Sequence, residues 1–258
     1  MEKKLKSWQG WLLFGGTMVV VFVLGMIAAS VNERHAEVTS VMNNKKTEIT
    51  GIEARNDKFE SNYPREYQTW EATADTSFKS LYNGNQAVDV LEARPEMVIL
   101  WAGYAFSKDY STPRGHMHAI EDMRNTLRVG APMTENEGPQ PATCWTCKSP
   151  DVPRMMQAMG VDNFYKGKWA SLGKEIVNPI GCADCHEPEN MNLHISRPAL
   201  IEAFQRQGKD ITKATQQEMR SLVCAQCHVE YYFKGDGKYL TFPWDKGSTV
   251  EDLSLIHI

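Results

Sequence analysis

No cysteine in this 258-residue chain stands alone, and no excess of positive charge runs along it. The 28 lysines and arginines face 32 aspartates and glutamates, a formal −4 at pH 7. Residues 1–31 carry Glu2 against Lys3, Lys4 and Lys6, a local +2, so the remainder stands at −6. That balance argues against a nucleic-acid partner. All six cysteines fall in three C-x-x-C pairs, Cys144/Cys147, Cys182/Cys185 and Cys224/Cys227, leaving none for a conventional disulfide. Runs of alternating apolar and polar residues are also lacking, so helix and loop dominate the pattern. A composition of 42% hydrophobic and 23% charged residues is ordinary for a globular protein and selects no function.

The chain opens with a targeting segment. Lys3, Lys4 and Lys6 precede an uncharged, largely apolar run from Trp8 to Val31, which exceeds the roughly 18 residues needed to cross a bilayer. Ala28-Ala29-Ser30 also resembles a signal-peptidase site, so residues 1–31 read either as a cleaved signal or as an anchor. Both put residues 32–258 outside the cytoplasm. Residues 32–60 are polar and read as a lead-in, and residues 61–258 as one domain.

The cysteine pairs carry the chemistry. In a c-type haem site two thiols add to the two vinyl groups of the porphyrin, and the residue after the second cysteine becomes the proximal iron ligand. His186 and His228 stand at that position. Zinc also uses C-x-x-C pairs but does not require the following histidine, which with 7 histidines in 258 residues arises by chance about once in forty. A thioredoxin-like motif would need one pair at a strand-to-helix junction, not three dispersed pairs. The expected fold is therefore mainly α, a multihaem c-type cytochrome with helices and loops packed around covalent haems.

Local signals place the elements. Met117, Ile120, Met123 and Leu127 recur at helical spacing, with Gly130 and Pro132 as a stop. Ser196-Arg197-Pro198 opens a helix to about Gln207, ended by Gly208. Thr215 and Glu218 form a capping box for a helix that delivers Cys224 and Cys227 to a haem. Met155, Met156 and Met159 read as core rather than as iron ligands. Lys148 departs from the pattern, because it stands where a c-type haem ordinarily has histidine. An amine coordinates only after losing its proton, against an unperturbed pKa of about 10.4. A haem so specialised reads as a site of chemistry, and a defective attachment site is the alternative.

CWTCK, CADCH and CAQCHVEYYF in this order, together with WAGYAFSKDYSTPRGH, NTLRVGAP, CKSPDVPR, GKWA and FPWD, resemble the ammonia-forming cytochrome c nitrite reductases. The resemblance runs from about Trp101 to Asp245. It implies six-electron reduction of nitrite to ammonium at a haem held by Cys144, Cys147 and Lys148, with the other haems passing electrons to it. By motif, Arg128 and Tyr231 match active-site residues. His116 matches the distal ligand of the haem held by Cys224, Cys227 and His228, while His35 and His194 are read as non-ligands. Glu230, with the Tyr231 carbonyl, matches calcium ligands. A permanent guanidinium charge at Arg128 would hold the nitrite anion.

The family also implies a periplasmic location, a membrane quinol-oxidising cytochrome c as electron donor, and a homodimer. Five haems c belong to the complete family, whereas three sites stand in this chain. Two further haem motifs, a catalytic histidine, and a lysine and glutamine of the calcium site cannot be placed, and His257 is not assigned to catalysis. The chain thus reads as a truncated N-terminal part, inactive alone and monomeric or unstable. The alternative is an electron-transfer cytochrome, or a relative of the octahaem reductases and hydroxylamine oxidoreductases. Intact-mass measurement of the exported protein is expected to show three covalent haem additions, and fewer than two would remove the multihaem reading.

Overall fold

The computed structural model describes residues 7–43, 46–79, 81, 85–101, 111–112, 114–126, 129, 134–138 and 140–254. The chain divides into two units, Met1–Lys46 and Thr47–Ile258.

The first unit is one helix, Ser7–Asn43. Neither proline nor any glycine after Gly25 interrupts it, and at 1.5 Å per residue its 37 residues extend about 55 Å. Its apolar side chains, from Trp8 through Val31, are exposed on every face. Ser7–Ser40 is long and apolar enough to cross a membrane. Thr17 and Thr39 turn their hydroxyls back onto the Leu13 and His35 carbonyls, at 2.8 Å each, so these polar groups are satisfied within the helix. The helix continues twelve residues beyond the end of the apolar run at Val31, because residues 32–43 contain no breaker.

The second unit begins earlier than residue 61. Ile49, Ala54 and Phe59 are buried, and Asn62 closes the segment by bonding both the Thr47 amide (3.0 Å) and the Thr47 carbonyl (2.7 Å). Residues 47–60 are thus part of the folded unit, since their few apolar side chains have a core to enter.

Short helices follow. In Asp151–Met159, Val152, Met155 and Met156 share the buried face, while Met159 is 36% exposed and so departs from its expected core position. Gly160, at φ +87°, ends that helix in a conformation that favours glycine. Pro198–Arg206 starts on proline and buries Ala199, Leu200 and Ala203, and Gly208 lies beyond it at φ +73°. Gln216–Ala225 carries the full Thr215/Glu218 capping box and buries Met219 and Val223. The helix expected from Met117 starts as a 3-10 turn, His116–His118, and runs as Ala119–Asn125. Leu127 and Arg128 lie outside the described residues.

One small element escapes the helical pattern, an antiparallel hairpin pairing Tyr232–Lys234 with Tyr239–Thr241. It packs near an aromatic core in which Trp145, Phe164, Tyr165, Trp169, Phe242 and Trp244 are buried. Phe59→Ala is expected to cost about 3 kcal/mol or more of unfolding free energy through the cavity it leaves. Denaturant titration checks this, and an unchanged midpoint would make residues 47–60 a free lead-in.

Candidate haem-attachment and active site

Each C-x-x-C motif is a single turn whose cysteines, three residues apart, share one face while the spacer turns into the protein. In the first, Ala142–Trp145 is a 3-10 turn. Trp145 is fully buried, stacks on Trp169 at 4.7 Å and 10°, and donates its indole N–H to the Trp169 carbonyl at 2.9 Å. Thr143 donates to the Lys238 carbonyl (2.6 Å) and Thr146 to the Thr143 carbonyl (2.7 Å). Cys144, Cys147 and Lys148 are left half-buried on the other side.

The second motif is the one-turn helix Cys182–Cys185. Asn56 holds its start, accepting from the Cys182 amide (3.0 Å) and donating to the Pro179 carbonyl (3.1 Å). Gly181 has no room for a Cβ against that same Asn56 side chain. Trp70 donates to the Ile180 carbonyl at 2.7 Å. His186 Nδ1 lies 2.7 Å from the Met191 carbonyl. A carbonyl only accepts, so Nδ1 carries the proton and Nε2 is left as a metal-binding lone pair. The third motif ends the Gln216–Ala225 helix, with Cys224 and His228 exposed and Cys227 half-buried.

One largely buried junction joins all three turns. The second spacer residues, Thr146 (0% exposed), Asp184 (2%) and Gln226 (1%), meet at Ser196 and Arg197, the latter 0% exposed. Arg197 donates to the Thr146 carbonyl (2.7 Å), the Ser149 carbonyl (2.8 Å), the Ser196 hydroxyl (2.7 Å) and the Asp184 carboxylate (2.5 Å). Gln226 Oε1 accepts from the Ser196 and Arg197 amides at 3.1 Å each, and Gln226 Nε2 donates to the Asp184 carbonyl at 2.7 Å. The Ser196 hydroxyl donates to that same carbonyl at 2.6 Å.

Four of the thiols face a cavity of about 620 Å³, lined among others by Cys147, Lys148, Cys185, Cys224, Cys227 and His228. That is the size of a cofactor site. Burial pushes the Cys182 thiol up to about 11 and Cys185 up to about 12. Cys147 is held down to about 7, chiefly by its hydrogen bond with Cys227 and further by Arg197 and Lys148, while Cys227 is pushed up by the same bond.

His116 also lines the cavity, set there by its neighbours. Gly115 donates its amide to Asn85 Oδ1 and has no room for a Cβ against the Thr73 carbonyl. Met117 donates its amide to the Thr73 hydroxyl at 3.2 Å. The His116 and His228 rings stand 6.3 Å apart between centroids, with 35° between their planes. An iron with two axial imidazole nitrogens at about 2 Å separates ring centres by roughly this distance, so the pair fits a single haem iron between them. His118 and His194 use their nitrogens elsewhere. His118 Nε2 donates to the Ala74 carbonyl (3.0 Å) with Nδ1 at Glu121 (3.1 Å), and His194 Nε2 donates to the Ala183 carbonyl (3.2 Å).

Two of the expected residues are not gathered here, and Arg128 lies outside the described residues. Glu230 and Tyr231 are exposed at the entry to the hairpin and do not line the cavity, and Tyr231 packs near Phe233 at 5.7 Å. Among the described residues no group of three or more His, Cys, Asp or Glu side chains could hold a metal ion. Sequence reasoning read Arg197 only as part of a helix start. The signal it passed over is electrostatic, because a cation at a helix N-terminus opposes the macrodipole and needs another reason to be there.

A mainly α fold in which each of three C-x-x-C turns places at least one thiol on one cavity is that of a multihaem c-type cytochrome. The Cytochrome c552 family model matches residues 55–256, and the chain belongs to that family. Cytochrome c-552 of Bacteroides fragilis strain YCH46 is 77% identical over 253 residues, covering 98% of this chain and 51% of its own. That of Porphyromonas gingivalis strain W83 is 73% identical over 252 residues, covering 97% and 51%. Among solved structures, the catalytic subunit of cytochrome c nitrite reductase from Desulfovibrio desulfuricans ATCC 27774, described with two calcium sites, matches with a TM-score of 0.74 at 32% identity. It covers 81% of this chain and 47% of its own. The chain therefore spans about half the length of the curated relatives it matches.

His116→Ala in the haem-loaded protein is expected to leave the covalent haem count unchanged and to convert one six-coordinate low-spin haem to high spin. Electron paramagnetic resonance checks this, and an unaltered low-spin population would separate His116 from His228.

Proposed function

We propose that this chain carries the nitrite-reducing site and part of the electron relay of an ammonia-forming cytochrome c nitrite reductase, in which nitrite takes up six electrons to become ammonium. The observation that carries the reading is Lys148, which follows Cys147 where the other two motifs have histidine and which lines the same cavity as their thiols. Family membership and the likeness to a solved nitrite reductase support it.

Haem c bound through Cys144/Cys147, Cys182/Cys185 and Cys224/Cys227 supplies iron that changes oxidation state and hands electrons on singly. Lys148 would hold the first iron from one side as a neutral amine, leaving the opposite face for the substrate anion. Arg128 would supply the fixed positive charge that binds that anion and offsets charge arriving with each electron. Tyr231 would hold or deliver a proton at the substrate through its hydroxyl. His186 offers Nε2 to the second iron, oriented by its Nδ1 bond to Met191. His116 and His228 would close both faces of the third, which suits a relay rather than substrate binding. The Glu230 carboxylate and the Tyr231 carbonyl are oxygen donors of the kind calcium takes, and a calcium ion there would stiffen the loop that carries the tyrosine.

The helix Ser7–Asn43 supports export and attachment to the inner membrane, with the second unit in the periplasm. A membrane quinol-oxidising cytochrome c is the proposed electron donor, and the complete protein is proposed to dimerise. An electron carrier without turnover is the competing reading, which the relay-type His116/His228 pair favours.

Lys148→His separates them. Histidine keeps haem attachment and binds iron in both oxidation states, yet differs from an amine in electron donation and in the space it fills. In haem-loaded protein carrying this chain, the variant is expected to keep its haems and lose about tenfold or more of nitrite turnover. Turnover unchanged at saturating electron donor would refute a catalytic role for Lys148.

A further inference from the structure

Two of the four bonds made by the Arg197 guanidinium go to the carbonyls of Thr146 and Ser149. These carbonyls bracket one tripeptide, Cys147-Lys148-Ser149, with the lysine at its centre. The Lys148 amide is tied as well, donating to the Trp145 carbonyl at 2.9 Å. The peptide that starts the lysine side chain is therefore fixed at both ends by one planar, fully buried group. The other two attachment turns meet Arg197 differently, through the side chains of Asp184 and Gln226, and neither has carbonyls on both sides of its iron ligand bonded to Arg197.

From this geometry we infer that Arg197 is a positioning residue that aims Lys148 at the iron of its haem. The inference rests on the reading of Lys148 as an axial ligand. Its physical reason is the difference between the ligands. An imidazole is rigid beyond two torsions, and its ring can be steered by a hydrogen bond at the second nitrogen, as the Met191 carbonyl steers His186. A lysine has a flexible four-carbon stem and no second nitrogen to steer. Its aim therefore depends more on how its root is held, and the root is where Arg197 acts. The planar fork matters, because its Nε and Nη2 donors reach two carbonyls at once while Nη2 also reaches Asp184. A lysine at position 197 would keep the charge opposite Asp184 but lose the fixed spacing of the donors.

The test uses the haem-loaded protein with three variants. Arg197→Lys keeps the charge. Arg197→Gln combined with Asp184→Asn removes both members of the buried pair, so that no uncompensated charge remains. Lys148→Ala defines the spectrum of the haem without its lysine. Intact mass gives haem content, and low-temperature electron paramagnetic resonance with redox titration follows each haem.

Both Arg197 variants are expected to retain three haems, with smaller changes in the signals of the histidine-ligated haems than in that of the lysine-ligated haem. The lysine-ligated haem is expected to become heterogeneous, to move toward the Lys148→Ala spectrum and to shift in reduction potential. A Lys148→Ala spectrum that differs from the parent, beside Arg197 variants that match the parent, would overturn the positioning role and leave the ligand reading intact. A Lys148→Ala spectrum identical to the parent would remove the ligand reading and this inference together. Equal disturbance of all three haems, or failure of both Arg197 variants to accumulate, would make Arg197 structural and overturn the inference.

Discussion

A fully buried arginine surrounded by four hydrogen-bond acceptors is the interaction on which this molecule's site depends. Arg197 and Asp184 form an ion pair with both side chains out of water, a pairing that contributes little net stability but costs about 3–5 kcal/mol to break from one side. What the pair supplies is specificity. Charge buried at a fixed point accepts only one arrangement of partners, and here the partners are the Thr146 and Ser149 carbonyls, the Asp184 carboxylate and the Ser196 hydroxyl. Gln226, on the third turn, completes the set by accepting from two backbone amides and donating to the Asp184 carbonyl of the second. Three attachment turns far apart in sequence thereby each present at least one thiol to one cavity.

The rest of the second unit serves that arrangement. The Trp145–Trp169 stack and the aromatic cluster around Phe242 hold the first turn from behind. Asn56 and Trp70, from the segment just after the N-terminal helix, hold the second. The capping box at Thr215 sets the start of the helix that ends in the third. Asp151 ties the region after Lys148 to the Val177 and Asn178 amides at 2.9 Å each, so the turn carrying the lysine is fixed on both sides.

Local chemistry was legible in the sequence, and long-range chemistry was not. The helix Pro198–Arg206, the glycine after it and the capping box at Thr215 are written in adjacent residues, so pattern alone locates them. The same holds for the cysteine spacing, and His116 could be named because its motif carries a family likeness. The Ser196–Arg197 hub needs partners 12 to 51 positions away, and no period or spacing announces such a meeting. The Asn56 contact with Cys182 spans 126 positions, which is why residues 47–60 read as a lead-in until their burial was seen. The hairpin strands are three residues each, too short for alternation to register. Met155 and Met156 are core as their spacing implies, whereas Met159 sits where the helix face turns outward.

The central claim is that these turns gather their haems around one cavity, with Lys148 directed at one iron. The most direct measurement is a diffraction structure of the haem-loaded protein with iron positions from anomalous scattering. The account predicts iron density between His116 and His228, a second iron within bonding distance of Lys148 Nζ, and the Arg197 guanidinium still on the Thr146 and Ser149 carbonyls. An iron at Cys144/Cys147 with Lys148 turned away from it would contradict the account.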